Sequence, residues 1–130
     1  MVGRKTKIII ALGSNYEQER NITYAVERLR EFFPSIVFSG VHWTEPIGIV
    51  SDKFVNALGC AEIECDSMEE VSQKLKLIEQ ECGRKAEDKR RNVVKLDLDL
   101  LQYGDARLKE KDWKRGYMSL LLEEIYVQKY

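Results

Sequence analysis

An antiparallel α+β domain of the split βαβ, or ferredoxin-like, class is predicted by three features of the sequence. The elements run strand, helix, strand, strand, helix, strand, helix. No Pro/Gly/Ser-rich linker or internal repeat separates them, and the 130 residues suffice for one core without a disulfide or metal staple. In that arrangement two helices pack on one face of the sheet, the other face is left for a ligand, and a short helix closes the chain. Residues 1–130 are expected to form a single domain.

Residues 7–12 are a short, β-branched apolar run ended by Gly13-Ser14-Asn15, the pattern of a buried strand entering a loop. From about 17 to 33, Ile22, Ala25, Val26, Leu29, Phe32 and Phe33 recur at three- and four-residue steps on one helical face, and Pro34 follows. Residues 36–43 and 53–63 are the next two expected strands, joined through Thr44-Glu45-Pro46-Ile47-Gly48. Ser67 and Glu70 make a capping-box pattern. Met68, Val71, Leu75, Ile78 and Cys82 then keep helical spacing until Gly83, so a second helix is expected over about 67–82. Residues 93–101 alternate through Leu96, Leu98 and Leu100, the period of a half-buried strand. A short helix is expected around 118–124.

Composition narrows the function classes. Charge is nearly balanced, 21 Lys plus Arg against 22 Asp plus Glu, which argues against a general nucleic-acid binder. The longest apolar run, residues 8–12, falls far short of the roughly 18–20 residues of a membrane span, and no charged-then-apolar leader precedes it. A cytoplasmic location is expected, with no membrane partner. Cys60, Cys65 and Cys82 lack C-x-x-C spacing and His42 is the one histidine, so unpaired thiols are expected rather than a zinc site. Charge is nevertheless unevenly placed. Arg84, Lys85, Lys89, Arg90, Arg91 and Lys95 form one basic block, Arg107, Lys109, Lys111, Lys114 and Arg115 another, and Asp97 and Asp99 lie between them. That layout suits a polyphosphate held by cations beside a carboxylate-bound metal ion; solvated surface loops produce the same pattern.

Asp97 and Asp99 are two apart on an expected strand, so both carboxylates leave the same face while the leucines point to the core. Adjacent carboxylates repel unless a cation lies between them, which an Mg²⁺ site supplies. An amphipathic strand with a wet polar face is the alternative. Phe54 and Asn56 share a face in the same way, a ring beside an amide, as a flat heteroaromatic ligand requires; a core Phe next to a solvent-facing Asn has the same spacing. Neither G-x-x-x-x-G-K-[ST] nor G-x-G-x-x-G occurs, and no Ser or Cys has a convincing His partner.

Taken in order, Ala11-Leu12-Gly13-Ser14-Asn15, Thr44-Glu45-Pro46-Ile47-Gly48, Phe54-Val55-Asn56-Ala57, Ile78-Glu79 with Gly83-Arg84, Leu96-Asp97-Leu98-Asp99-Leu100-Leu101 with Tyr103-Gly104, and Arg115-Gly116-Tyr117-Met118 with Leu122-Glu123-Glu124-Ile125 carry a family resemblance. The chain resembles the hydroxymethyldihydropterin pyrophosphokinases of folate biosynthesis, which move a pyrophosphoryl group from ATP to the hydroxymethyl of a reduced pterin. The resemblance implies that Asp97 and Asp99 bind Mg²⁺, two ions in that family, and that Arg84 acts with them in catalysis. It implies that Thr44, Ile47, Phe54, Asn56 and Tyr117 bind the pterin and that Glu79, Arg84, Arg91 and Arg115 serve the ATP side. The expected partners are therefore small molecules, ATP and a reduced pterin, with the protein a monomer or weak dimer.

The chain also departs from that pattern. The family's second arginine and Trp-Gly-Pro-Arg stretch are replaced by Ala86 and Arg91-Asn92-Val93-Val94, and its Pro-His segment by the shorter Leu108-Lys109-Glu110-Lys111-Asp112-Trp113. Arg91 and Trp113 are the residues available to replace the lost stacking contact. A homologue that binds a pterin or nucleotide without turnover is the alternative function.

Overall fold

A computed structural model describes residues 5–46 and 51–129, with side chains described through Ile125. Its elements are β1 (Thr6–Ser14), α1 (Gln18–Phe32), β2 (Val37–Phe38), β3 (His42–Thr44), β4 (Phe54–Ile63) and α2 (Met68–Glu81). A 3-10 helix (Ala86–Arg91), β5 (Asp97–Tyr103), β6 (Ala106–Arg107), α3 (Glu110–Trp113) and α4 (Met118–Lys129) follow. The strands form one sheet in the order β2-β4-β1-β5-β6, with β3 also paired to β4, and every pairing is antiparallel. The predicted split βαβ arrangement is present, with β2 and β3 together occupying the place of its second strand.

The most apolar strand takes the centre. Ile8, Ile10 and Leu12 of β1 point to one face and are buried with Ile22, Ala25 and Leu29 of α1 and Val71, Leu75 and Ile78 of α2. Each fully buried Ile, Leu or Val among them contributes roughly 1.5–3 kcal/mol. The α2 boundaries follow the capping-box pattern: the Glu70 N–H donates to Ser67 Oγ at 3.1 Å and the Ser67 N–H to Glu70 Oε1 at 3.0 Å. At the other end Gly83 adopts φ 86°, a left-handed conformation that glycine reaches without steric cost.

The opposite face is divided. Ile9, Leu58, Cys60 and Leu101 are covered by Met118, Leu121 and Ile125 of α4, and among the described residues the other half of that face lines a cavity. The C-terminal helix is thus longer than expected and lies on the face the sequence leaves for a ligand. Two strand boundaries also differ from expectation. Residues 36–43 split into β2 and β3 because the Gly40 N–H is taken by the Glu124 carboxylate of α4. Residues 93–96 precede β5 as a loop, since the Asn15 side chain binds the Asn92 carbonyl and the Val94 N–H. None of Cys60, Cys65 and Cys82 is joined in a disulfide. No helix among the described residues is long and apolar enough to cross a membrane.

Candidate active site

The open half of the sheet is floored by small side chains. Asn56, Gly13 and Asp97 are cross-strand neighbours in one row, and Leu58, Ala11 and Asp99 in the next. Gly13 and Ala11 therefore leave a trough between an amide and two carboxylates. A Cβ built on Gly13 would stand 3.5 Å from Asn56 Oδ1 and 4.0 Å from the Phe54 ring, so the protein tolerates a side chain there and leaves the space empty. Thr44, directly across from Phe54 in the β3–β4 register, accepts a hydrogen bond from the Asn56 amide nitrogen. Met118 and Leu121 of α4, with Tyr117 just before it, form one wall, and Asp112 and Arg115 also line this cavity of about 190 Å³. Arg115 lies 3.3 Å from Asp112 and donates to the Tyr117 hydroxyl at 3.5 Å, so its guanidinium is held beside the aromatic wall.

Asp97 and Asp99 also line a second, larger groove of about 700 Å³, together with Ser72, Lys76, Glu79, Arg84, Lys85, Leu108 and Lys109. The aspartate pair is thus the boundary between a small aromatic cavity and a cationic groove. Arg84 reaches across that boundary, 2.9 Å from Glu79 Oε2 and 3.6 Å from Asp97 Oδ1. The same Glu79 oxygen accepts the Leu98 N–H at 2.8 Å, fixing the carboxylate to the backbone between the two aspartates. On the other side Lys109 Nζ lies 3.9 Å from Asp99 Oδ1.

Burial dominates the electrostatics of the pair. Desolvation, reinforced by the Asp97 charge, pushes the Asp99 carboxyl up to about 7. Desolvation also raises Asp97, with the Glu79 charge adding to it and the Arg84 guanidinium opposing it. Both acids lack sufficient positive charge in the protein alone. Among the described residues no group of three or more His, Cys, Asp or Glu side chains is placed to hold a metal. The arrangement suits Mg²⁺, which commonly takes one or two carboxylates and completes its shell with water and substrate phosphates.

Most of the residues singled out in the sequence converge here. Thr44, Phe54, Asn56, Arg115 and Tyr117 line the aromatic cavity, Glu79 and Arg84 the groove, and Asp97 and Asp99 both. Ile47 lies outside the described residues. Arg91 lines neither cavity. It ends a 3-10 helix whose start is capped by Asp88, and Lys95 bridges Asp88 at 3.5 Å and the Gly83 carbonyl at 2.8 Å, holding the basic loop closed on itself. Trp113 does not reach the site either. Its indole N–H donates to the Leu101 and Leu108 carbonyls, and Arg107 stacks 4.2 Å above its ring. Gly13, Ala11, Asp112 and Lys109 join the site without being among its sequence-predicted residues. Their signals are modest: small residues two apart on a strand for the first two, and position within the second basic block for the others.

A family model described as 7,8-dihydro-6-hydroxymethylpterin-pyrophosphokinase matches residues 9–126. No curated protein matches the chain. Among solved structures the chain is similar to the C-terminal domain of the MgtC protein from Mycobacterium tuberculosis, at 10% identity and a TM-score of 0.39, covering 75% of this chain and 88% of that one. A likeness of that size bears on neither fold nor function. The family match runs from within the central strand to within the C-terminal helix, with the paired aspartates and the aromatic cavity inside it, and the chain belongs to the 7,8-dihydro-6-hydroxymethylpterin-pyrophosphokinase family.

Proposed function

We propose that this chain transfers pyrophosphate from ATP to the hydroxymethyl oxygen of 6-hydroxymethyl-7,8-dihydropterin, releasing AMP. Its family acts in folate biosynthesis and uses ATP and Mg²⁺. The observation that carries the proposal for this chain is the meeting of an aromatic cavity and a cationic groove at Asp97 and Asp99. The pterin ring occupies the cavity, between Phe54 and Tyr117, with its amide-like edge on Asn56. The triphosphate occupies the groove, where Arg84, Lys85 and Lys109 supply cations and Arg115 approaches from the cavity side. Asp97 and Asp99 hold Mg²⁺, which when bound neutralises phosphate oxygens. Glu79 orients Arg84, and the protein's main contribution is to bring the hydroxyl to the phosphorus in line with the leaving AMP.

Purified protein given Mg²⁺, ATP and the pterin is expected to form AMP only when all three are present. A second reading, ligand binding without turnover, is favoured by the closed basic loop that keeps Arg91 out of the groove. Tight pterin binding with no AMP would select that reading; absence of both pterin and nucleotide binding would sink both.

The raised Asp99 carboxyl gives a pH prediction. An unfolded Asp titrates near 3.9, roughly, whereas the folded one holds its proton up to about 7. The folded state therefore binds more protons in this interval, and that group's stabilising contribution is lost as pH rises from about 4 to about 7. Metal competes with the same proton. Thermal melts are expected to show Mg²⁺ raising Tm more at pH 8 than at pH 5.5, with the difference removed in Asp99→Asn. An Mg²⁺ effect independent of pH would count against Asp99 as a ligand.

A further inference from the structure

We infer that His42 and Glu124 are positioning residues for the aromatic cavity, forming a clasp that fixes the distance between its two walls. The inference rests on the reading of that cavity as the pterin site. One wall is β3, a three-residue strand that carries Thr44 and, among the described residues, is paired to β4 alone. The other is the first turn of α4, with Tyr117 just before it and Met118 and Leu121 on it. Glu124, three residues beyond Leu121, connects the two. One carboxylate oxygen accepts the Gly40 N–H at 2.5 Å and the other meets His42 Nε2 at 2.5 Å.

The local sequence is built around this contact. A Cβ on Gly40 would come within 2.7 Å of Glu124 Oε2, so a side chain there would displace the carboxylate. The Gly40 N–H and then His42 hold the Glu124 carboxyl below its ordinary range, as expected of an ionised acceptor with two donors. His42 stands directly across from Asn56 in the β3–β4 register, and two residues later Thr44 accepts the Asn56 amide hydrogen bond. Movement of His42 away from α4 therefore moves the hydroxyl that orients Asn56. The clasp lies outside the apolar cluster that docks α4 through Met118, Leu121 and Ile125, and both its side chains are partly exposed. Its loss loosens the cavity walls without opening the core. Neither side chain lines the cationic groove, so nucleotide binding is not its object.

Equilibrium binding of 6-hydroxymethylpterin and, separately, of a non-hydrolysable ATP analogue tests this in the native protein, Glu124→Ala, Glu124→Gln and His42→Ala. Glu124→Ala is expected to weaken pterin binding about 10-fold, the scale of a lost charge-assisted hydrogen bond, and to leave the analogue within about 2-fold. Glu124→Gln keeps one acceptor for Gly40 and one partner for His42, and is expected to restore most of the pterin affinity. His42→Ala, at a partly exposed position, reads the same loss if Glu124→Ala folds poorly. Unchanged pterin affinity in the alanine variants, or equal losses for both ligands, would overturn the clasp alone. A native protein that binds the analogue but no pterin would overturn the reading of the cavity and the clasp with it.

Discussion

Asp97→Ala and Asp99→Ala are each expected to lower AMP formation by about 10³-fold or more, with the fold retained. The size follows from the mechanism: phosphoryl-group transfer leaves the protein little covalent work, so loss of the charge that stabilises the phosphate oxygens removes most of the acceleration. Retention of the fold follows from the geometry. Both carboxylates sit half-buried on the open face, 3.6 Å and 3.9 Å from Arg84 and Lys109, and neither belongs to the leucine row that packs under α1 and α2. Burial raises both carboxyls, and the Asp97 charge adds to the rise of Asp99, so removing either acid takes a desolvated carboxylate off the face. Metal-free Tm is expected to be equal to or above the native value, while the Mg²⁺-dependent rise in Tm disappears. An alanine variant that keeps AMP formation within tenfold of native would remove the aspartate pair from the mechanism. Arg84 offers an internal comparison. It touches Asp97 and Glu79 but lies half-exposed in the groove, so Arg84→Ala should spare the Mg²⁺ shift in Tm and reduce turnover.

Period alone made most of this legible. The two-residue alternation of Leu96, Leu98 and Leu100 places Asp97 and Asp99 on one face, and the β1–β5 register puts them beside Gly13 and Ala11 as that period requires. The same period pairs Phe54 with Asn56, and helical spacing gives α1 and α2, with the Ser67–Glu70 capping box and Gly83 marking the ends of α2. Long-range contacts account for what was not legible. Nothing near residues 36–43 signals that Gly40 will give its N–H to Glu124, 84 residues later, and break the strand. Nor does any local pattern show that Asn15 will hold residues 92–94 out of β5. Trp113 illustrates the reverse error. A lone tryptophan in a basic block invites a ligand-stacking role, yet its N–H is satisfied by two backbone carbonyls and its ring is covered by Arg107.

Gly13→Val is expected to abolish pterin binding, by at least about 30-fold, while leaving the protein as stable as the native chain or more so. Gly13 is the penultimate residue of β1 and is paired on both sides; within a strand glycine costs roughly 0.5–1 kcal/mol relative to a residue with a side chain, and valine is a preferred strand former. The nearest heavy atom to a Cβ there is 3.5 Å away, so the first carbon fits without displacing the fold. The two methyl groups beyond it enter the space between Asn56 and Asp97, in a cavity of only about 190 Å³. A ring that must lie on that floor then meets overpacking of about 1–3 kcal/mol in addition to losing its fit against Phe54. Affinity for an ATP analogue should remain within a few-fold, because Gly13 lines the cavity and not the groove. The contrast separates the two halves of the site. Loss of pterin binding with nucleotide binding and stability intact identifies the glycine floor as the ring's seat, whereas native pterin affinity in Gly13→Val would move the ring elsewhere on the protein.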